Sequence, residues 1–412
     1  MEVEYDFFVG VDWATEAHQV CVLDPKRKVV WEGSVAHTGE AIAELADRLA
    51  KLGTPERTAV GIETPRGAII DTLIERQFAV FHINPKQLDR FRDRHTVAGA
   101  KDDRRDAFVL GDSLRTDLHC YRRIKVDDPE IIALREMVRV DEDLAGEENA
   151  LINRLREQLH RYFPQMLELS PSADEPWIWT LLAKVPDPAA AAKAKKQLVA
   201  TLLKEHRIRR VNADEVLATL RKPALRVAPG TVEAARIHIM LLLPRLQLVR
   251  RQRTELKKAI GVVLERLSST EAAPGQECEH RDAKILLSLP GVGKKVAATM
   301  LVEAPQALAQ RDYQALRAHA GIAPVTKASG KRSSVQMRHA CNNRLRNALY
   351  HWARVASQMD PATGAHYAAL RARGHSHGRA LRGVADRLLR ILMAMLRTHT
   401  LWDAEKPAKR AA

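Results

Sequence analysis

The spacing of apolar and polar positions changes character along the chain. FFVGVDW (7–13), HQVCVLD (18–24) and KVVWEGSVA (28–36) are short β-rich runs separated by polar, turn-like segments. Three strands in such quick succession predict an antiparallel meander. GEAIAELADRLAKLG (39–53) switches to helical spacing and ends on glycine. AVGIET (59–64) then reads as a buried strand, GAIIDTLIERQ (67–77) as a helix and AVFHINP (79–85) as another strand, with helical segments around 86–94 and 102–116. The order β-β-β-α-β-α-β-α predicts a mixed sheet flanked by helices.

That order is also the order of the ribonuclease-H-like fold. It predicts an α/β ribonuclease-H-like domain over 1–125. Beyond Pro129 the period is helical. In 130–162, Leu134, Val138, Ala145, Ile152, Leu155, Leu159 and Tyr162 share a face that Asp141 and Glu148 interrupt. In a second stretch Leu242, Leu246, Val249, Leu256, Ile260, Val263 and Leu267 advance by threes and fours, with Arg253 breaking one position. The pair reads equally as an antiparallel coiled-coil arm or as two helices of an ordinary bundle, and it predicts a helical region over 126–270. Within it, 165–230 is punctuated by Ala and Pro and is basic, an inserted helical module. EAAPGQECEH (271–280) reads as a linker. A mostly helical domain is expected over 281–402, with AEKPAKRAA as a frayed tail.

Charge narrows the function. The chain of 412 residues carries a formal +15. Residues 311–412 hold 19 Lys and Arg against 5 Asp and Glu, so almost all of the surplus sits in the last quarter. A concentrated basic region suits a polyanion, because clustered cations release counterions from phosphates. A membrane is excluded as the alternative, since the apolar run Ile239 to Leu243 is far short of a bilayer span. Cys21, Cys120, Cys278 and Cys341 form no CxxC pair, which argues against structural zinc and a secreted disulfide framework. MEVEYDFF has no signal-peptide pattern, and the expectation is a cytoplasmic, nucleoid-associated protein. Aromatic residues are only 5%, so phosphate contacts are expected over base stacking.

Three constellations carry chemistry. Asp12 ends the apolar strand FFVGVD and Glu63 ends AVGIE. A carboxylate delivered from a buried run needs a compensating cation. KDDRRDA places Asp103 and Asp106 three apart on one helix face, with Asp102 as the alternative to Asp103. Hard oxygen ligands of this kind suit Mg²⁺, with Mn²⁺ as the second choice, and such ions stabilise the oxygens of a phosphoryl transfer. PGVG (290–293) resembles a helix-hairpin-helix turn, in which Gly291 and Gly293 permit close approach to a phosphate beside Lys294 and Lys295. HAGIAPVTKASGKRSSVQMRHACNNRLRNALYHWA (319–353) reads as a polar, serine-rich loop between helices. Lys327, Lys331, Arg332, Arg338, Arg344 and Arg346 flank it as nucleic-acid contacts, and a serine among cations is either a phosphate ligand or a nucleophile.

These motifs, in this order, resemble the insertion-sequence one-ten family of transposases, the DEDD-type, bridge-RNA-guided serine recombinases. FVGVDWATEAHQVCVLD, GIETPRG and KDDRRDA look like its N-terminal RuvC-like domain. LPGVGKKVAATMLVEA, LRAHAGIAPVTKASGKRS and NNRLRNALY look like its C-terminal transposase domain. The resemblance implies a metal site at Asp12, Glu63, Asp103 and Asp106. It places a nucleophile at Ser329, the serine of the Ser-Gly step after AGIAP. MRHACNNRLR lacks the glycine usual in the basic run that follows. The resemblance further implies cutting and rejoining of donor and target DNA, a structured noncoding guide RNA, and an active site composed from both domains across subunits. The heptad-like spacing at 242–267 and the basic helix pair predict a homo-oligomer, a dimer at least and a tetramer on DNA. Two other function classes compete: a RuvC-like junction nuclease that hydrolyses DNA with the four acids alone, and an inactive nucleic-acid-binding scaffold.

Overall fold

The apolar runs of Phe7–Asp12, Ala17–Leu23, Thr58–Ile62 and Ala79–His82 are buried beneath helices, whereas Val29 and Val30 of KVVWEGSVA stay exposed. A computed structural model describes residues 4–92, 94, 102–124, 128–269, 281–330 and 332–403. Lys331, the linker at 271–280 and the tail from 404 lie outside the described residues. The chain divides into two units, 1–127 and 128–412.

In the first unit the elements run β1 (Phe7–Asp12), β2 (Ala17–Leu23), β3 (Val29–Ala36), α1 (Gly39–Leu52), β4 (Thr58–Ile62), α2 (Ala68–Glu75), β5 (Ala79–His82), α3 (Pro85–Arg92), α4 (Asp103–Asp117) and β6 (Arg122–Arg123). The sheet order is β3-β2-β1-β4-β5-β6. The first three strands form the expected antiparallel meander, and β4 and β5 add in parallel to β1. Parallel neighbours need a crossover, which α1 and α2 supply. The mixed sheet agrees with the sequence pattern and is consistent with a ribonuclease-H-like domain. The two-residue strand β6, too short to leave a pattern, pairs antiparallel with β5.

Side chains alternate across this sheet. Val9, Val11, Val60, Ile62 and Val80 pack with Ile42, Leu45, Leu49, Ile69 and Leu73 of α1 and α2. Phe8, Leu23, Ala59, Ala79 and Phe81 pack with Ala107, Leu110 and Leu114 of α4. Gly10 makes the α4 contact possible. An ideal Cβ there would lie 1.8 Å from the carbonyl oxygen of Ala107 and 2.5 Å from the amide of Gly111. Strand and helix therefore meet backbone to backbone, which fixes where α4 starts relative to the end of β1.

The second unit is helical apart from one hairpin. α5 (Pro129–Tyr162) is capped by Asp128, whose side chain accepts from the Glu130 amide, with Pro129 at its first turn. The segment read as an inserted module holds five short helices: α6 (Gln165–Leu169), α7 (Pro176–Lys184), α8 (Pro188–Lys193), α9 (Lys196–Glu205) and α10 (Ala213–Leu220). α11 (Thr231–Ser268) follows, then α12 (Asp282–Ser288), α13 (Lys294–Glu303), α14 (Pro305–Ala309) and α15 (Tyr313–His319). The unit closes with β7 (Val325–Ser329), β8 (Arg332–Gln336), α16 (Asn343–Met359), α17 (Pro361–Ala372) and α18 (His377–Thr398).

α5 and α11 are continuous and antiparallel. Ion pairs join Glu130 to Arg266 at 2.9 Å, Asp141 to Arg253 at 3.2 Å and Glu148 to Arg250 at 2.6 Å, so residue numbers rise on one helix as they fall on the other. The charged residues that interrupt both periodicities meet in one buried layer. Asp141 also takes Lys295 Nζ at 3.0 Å, and Arg253 reaches Glu148 as well. This layer separates two apolar clusters. On one side, Leu134 and Val138 join Ile260, Val263 and the helices after residue 281. On the other, Leu155, Leu159, Leu242 and Leu246 pack with Trp177 and Trp179 of α7.

Candidate active site and nucleic-acid interface

Strand register brings the first two acids together. Val11 pairs with Ile62 across the parallel β1–β4 ladder, so Asp12 and Glu63 are the next residues at the carboxyl ends of adjacent strands. Neighbouring strands are about 4.8 Å apart. By alternation from Phe8 and Gly10, and from Ala59 and Gly61, both acids lie on the α4 side of the sheet. α4 runs antiparallel to β1, because its Ala107 meets Gly10 while Gly111, a turn later, meets the Phe8 carbonyl. Its amino-terminal turn, with Asp103 and Asp106, therefore lies toward the same edge of the sheet.

The four acids are not equivalent. Asp103 is exposed at the helix start, and Asp102 uses its carboxylate to cap the helix by accepting from the Arg104 amide at 3.2 Å. Asp106 is buried, and both its oxygens accept from Arg92 at the end of α3, Nε to Oδ1 and Nη2 to Oδ2, each at 2.8 Å. Arg92 is a residue that sequence reasoning missed; nothing in KQLDRFR distinguishes it from a solvated arginine. Among the described residues, the one set of three His, Cys, Asp or Glu donors within 4.8 Å of one another is Asp117, His119 and Cys120, at the opposite end of α4. In this conformation the four acids share an edge without closing into a cage.

A second feature beside Asp12 also escaped the sequence. His18 is fully buried on β2. Its Nδ1 accepts from the Ala14 amide at 3.3 Å, so the neutral ring donates from Nε2 to His37 Nδ1 at 2.9 Å. Burial first, and the neighbouring His37 second, push the His18 pKa below its ordinary 6.5.

Ser329 lies in the second unit. The segment read as a loop contains a β-hairpin: β7 and β8 are antiparallel, and Ser329 pairs with Arg332 at the tip. Gly330 supplies the left-handed backbone the turn requires, at φ +54°. Strand alternation puts Lys327, Ser329, Arg332 and Ser334 on one face and Ala328 and Ser333 on the other. Those residues are all exposed.

The other expected contacts divide. Gly291, at φ +80°, packs against α16, where a Cβ would come 2.7 Å from the Ala356 amide, so this glycine is needed by the helix packing itself. Gly293 is exposed at the N-cap of α13. Lys294 pairs with Glu265 at 2.9 Å, Lys295 with Asp141 at 3.0 Å and Arg344 with Glu142 at 2.6 Å. Arg332 is exposed on the ribbon, whereas Arg338 and Arg346 stand near its base, Arg346 Nη2 donating to the Arg338 carbonyl at 2.7 Å.

Known proteins are similar to this chain in sequence. Residues 9–164 match the family model for DEDD domains of IS110 elements, described as transposase. Residues 283–368 match the model described as Transposase IS116/IS110/IS902 family. Over 97% of this chain and 96% of each relative, the chain is 32% identical to the mini-circle protein for IS117 and 30% identical to the 43.6 kDa protein of insertion element IS110. Both come from Streptomyces coelicolor (strain ATCC BAA-471 / A3(2) / M145). It is 50% identical over 209 residues to y4uE of Sinorhizobium fredii (strain NBRC 101917 / NGR234), and that match spans half of this chain and 58% of the relative. With both family models matched in order and near-full-length identity to insertion-element proteins, the chain belongs to the IS110 family of transposases, enzymes that process DNA.

Proposed function

We propose that the chain cuts and rejoins DNA through a covalent ester at Ser329, with Asp12, Glu63, Asp103 and Asp106 holding a divalent cation. The observation that carries this reading is the ribbon, which presents Ser329 at an exposed tip with Lys327 and Arg332 on the same face. In the reaction the Ser329 Oγ–P bond forms as a P–O bond of the strand breaks. The leaving hydroxyl takes up a proton, and attack by the hydroxyl of a second strand releases the serine and restores the backbone. No bond energy is lost to water. Lys327 and Arg332 face the anionic phosphate and stabilise the charge that develops on it.

The acids fit a hard divalent cation, magnesium or manganese. All four lie at one edge, and Asp106 already neutralises a cationic group there, that of Arg92. Such an ion, when bound, would add charge neutralisation at the phosphate. We extend the reading to a structured guide RNA and a homo-oligomer. The RNA follows from the family resemblance and suits the surplus charge of 311–412. The oligomer suits the exposed Ile237, Leu241 and Leu248 along one side of α11.

The test is to trap the chain on a nicked or suicide DNA substrate and map the modified peptide. The adduct is expected on Ser329, and Ser329→Ala is expected to form none. DNA found on Ser333 or Ser334 would refute the assignment. Metal-dependent nicking without any adduct would replace it with the hydrolytic nuclease.

A further inference from the structure

A cavity of about 330 Å³ opens at the base of the hairpin, lined among others by Val335, Arg338, His375, Arg379 and Arg382. We propose that it is a receptor for one phosphodiester of a nucleic-acid strand, gripped by Arg338, Arg379 and Arg382. The proposal deepens the nucleic-acid reading above and does not depend on the serine chemistry.

Arg317 on the cavity wall is paired with Asp386, but among the described residues none of the other arginines here, Arg338, Arg346, Arg379 and Arg382, forms an ion pair with a carboxylate. Arg382 Nη1 meets only the Met337 thioether, at 3.3 Å, a weak acceptor for a guanidinium. Arg338 Nε and His375 Nδ1 are buried with no hydrogen-bond partner, as is Nε of Arg346, whose guanidinium flanks Gly321 on the cavity wall. Buried donors in native proteins are normally satisfied, so unpaired ones mark a missing acceptor. The one carboxylate on the wall, Asp386, is already engaged by Tyr313 Oη at 2.7 Å, Arg317 Nε at 2.6 Å and Arg390 Nη2 at 3.1 Å.

Two further observations agree. Burial, then the charges of Arg346 and Arg379, lower the Arg382 pKa from its ordinary value, the mark of cations crowded without compensation. Arg379 also sits in the first turn of α18, where the helix dipole disfavours a cation and no acid is present. The two non-bridging oxygens of a phosphodiester would relieve both penalties and accept from the arginine forks. The cavity lies about 13 Å along β8 from the level of Ser329, at roughly 3.3 Å per residue, so one strand can reach from receptor to ribbon tip.

The test compares the full chain with Arg382→Gln, and with Arg379→Gln at the exposed mouth as the variant least able to disturb folding. Binding to a labelled DNA duplex is followed by anisotropy across salt, and melting is followed without nucleic acid. The expected result is a salt slope reduced by about 0.9 in each variant, with the free Arg382→Gln chain at least as stable as its parent because repulsion is relieved. A parent that binds while both variants keep its slope would overturn the receptor and leave the nucleic-acid reading intact. A parent with no salt-dependent binding would overturn that reading. Inorganic phosphate that raises the melting point of the parent only, with unchanged DNA slopes, would also overturn the proposal in favour of a free-anion site.

Discussion

Replacing Arg253 with methionine isolates the worth of the buried charged layer. Arg253 serves two carboxylates at once, and the Asp141 and Glu148 side chains are only 3% and 4% exposed. Without it Asp141 keeps Lys295 and Glu148 keeps Arg250. The cost therefore falls at the lower end of the range for breaking a buried pair, about 3 kcal/mol. For a unit the size of 128–412, an unfolding entropy of about 2.1 cal/mol/K per residue amounts to roughly 0.6 kcal/mol/K, so Tm should drop by about 5 °C. The combined variant Asp141→Leu, Glu148→Leu, Arg253→Met should recover that loss or exceed it, since an apolar layer carries no desolvation penalty and the half-exposed Lys295 and Arg250 can hydrate. Burial alone would raise the Asp141 carboxyl, but Lys295 and Arg253 outweigh it and hold it below the usual 3.8. The pairing is thus fully stabilising above pH 3.8 and is lost as pH falls toward the lower folded value, a dependence that Arg253→Met should weaken. Calorimetry of the three chains across acid pH decides. A single variant that melts within 1 °C of the parent, as a rough threshold on the same entropy scale, would show that Arg253 contributes nothing, and a triple variant no better than the single would show that desolvation does not offset the pairing.

Gly10→Ala should destabilise the first unit by about 3 kcal/mol, the upper part of the overpacking range, because its Cβ collides with backbone; an unchanged urea midpoint for that unit would show that α4 does not depend on the contact. Arg92→Gln should tighten Mn²⁺ binding about tenfold, the equivalent of one charge-assisted hydrogen bond released from Asp106, as read by electron paramagnetic resonance; weaker binding would remove Arg92 as a competitor for the ion. His18 resists protonation in the fold while the unfolded chain does not, so stability should decline as pH falls below 6.5 and level off beneath the folded pKa. His18→Asn should make that decline shallower between pH 7.5 and 5.5, as approximate bounds around the ordinary histidine value, with His82 and His366, which burial also holds below 6.5, supplying the remainder.

The sheet was legible because each of its central strands is an apolar run between turn residues, and Asp12 and Glu63 announced themselves as charges ending such runs. Their register was not written in either run; it comes from pairing across some fifty residues. Asp141, Glu148 and Arg253 were visible as faults in two helical patterns, and only the antiparallel alignment revealed that one fault answers the other. The hairpin escaped because VTKAS and RSSVQ bury neither face, so no alternation betrays a strand. Lys294 and Lys295 looked like phosphate contacts by position, yet their acids, Glu265 and Asp141, lie on helices remote in sequence.

Both strands of the hairpin that carries Ser329 are exposed along nearly their whole length, and Val335 and Gln336 at its base line the cavity of the second unit. Two strands alone are marginal in water, so a bound nucleic-acid strand would add order to the ribbon. If Ser329 is the nucleophile proposed above, its own substrate would arm it: the hydroxyl would be fixed only once DNA holds the ribbon, and reaction with stray phosphate esters would be suppressed without any lid or inhibitor. Hydrogen exchange should register this as fast amides over 325–336 in the free chain that slow when DNA is bound. Equal protection in both states would mean that the serine is held ready at all times.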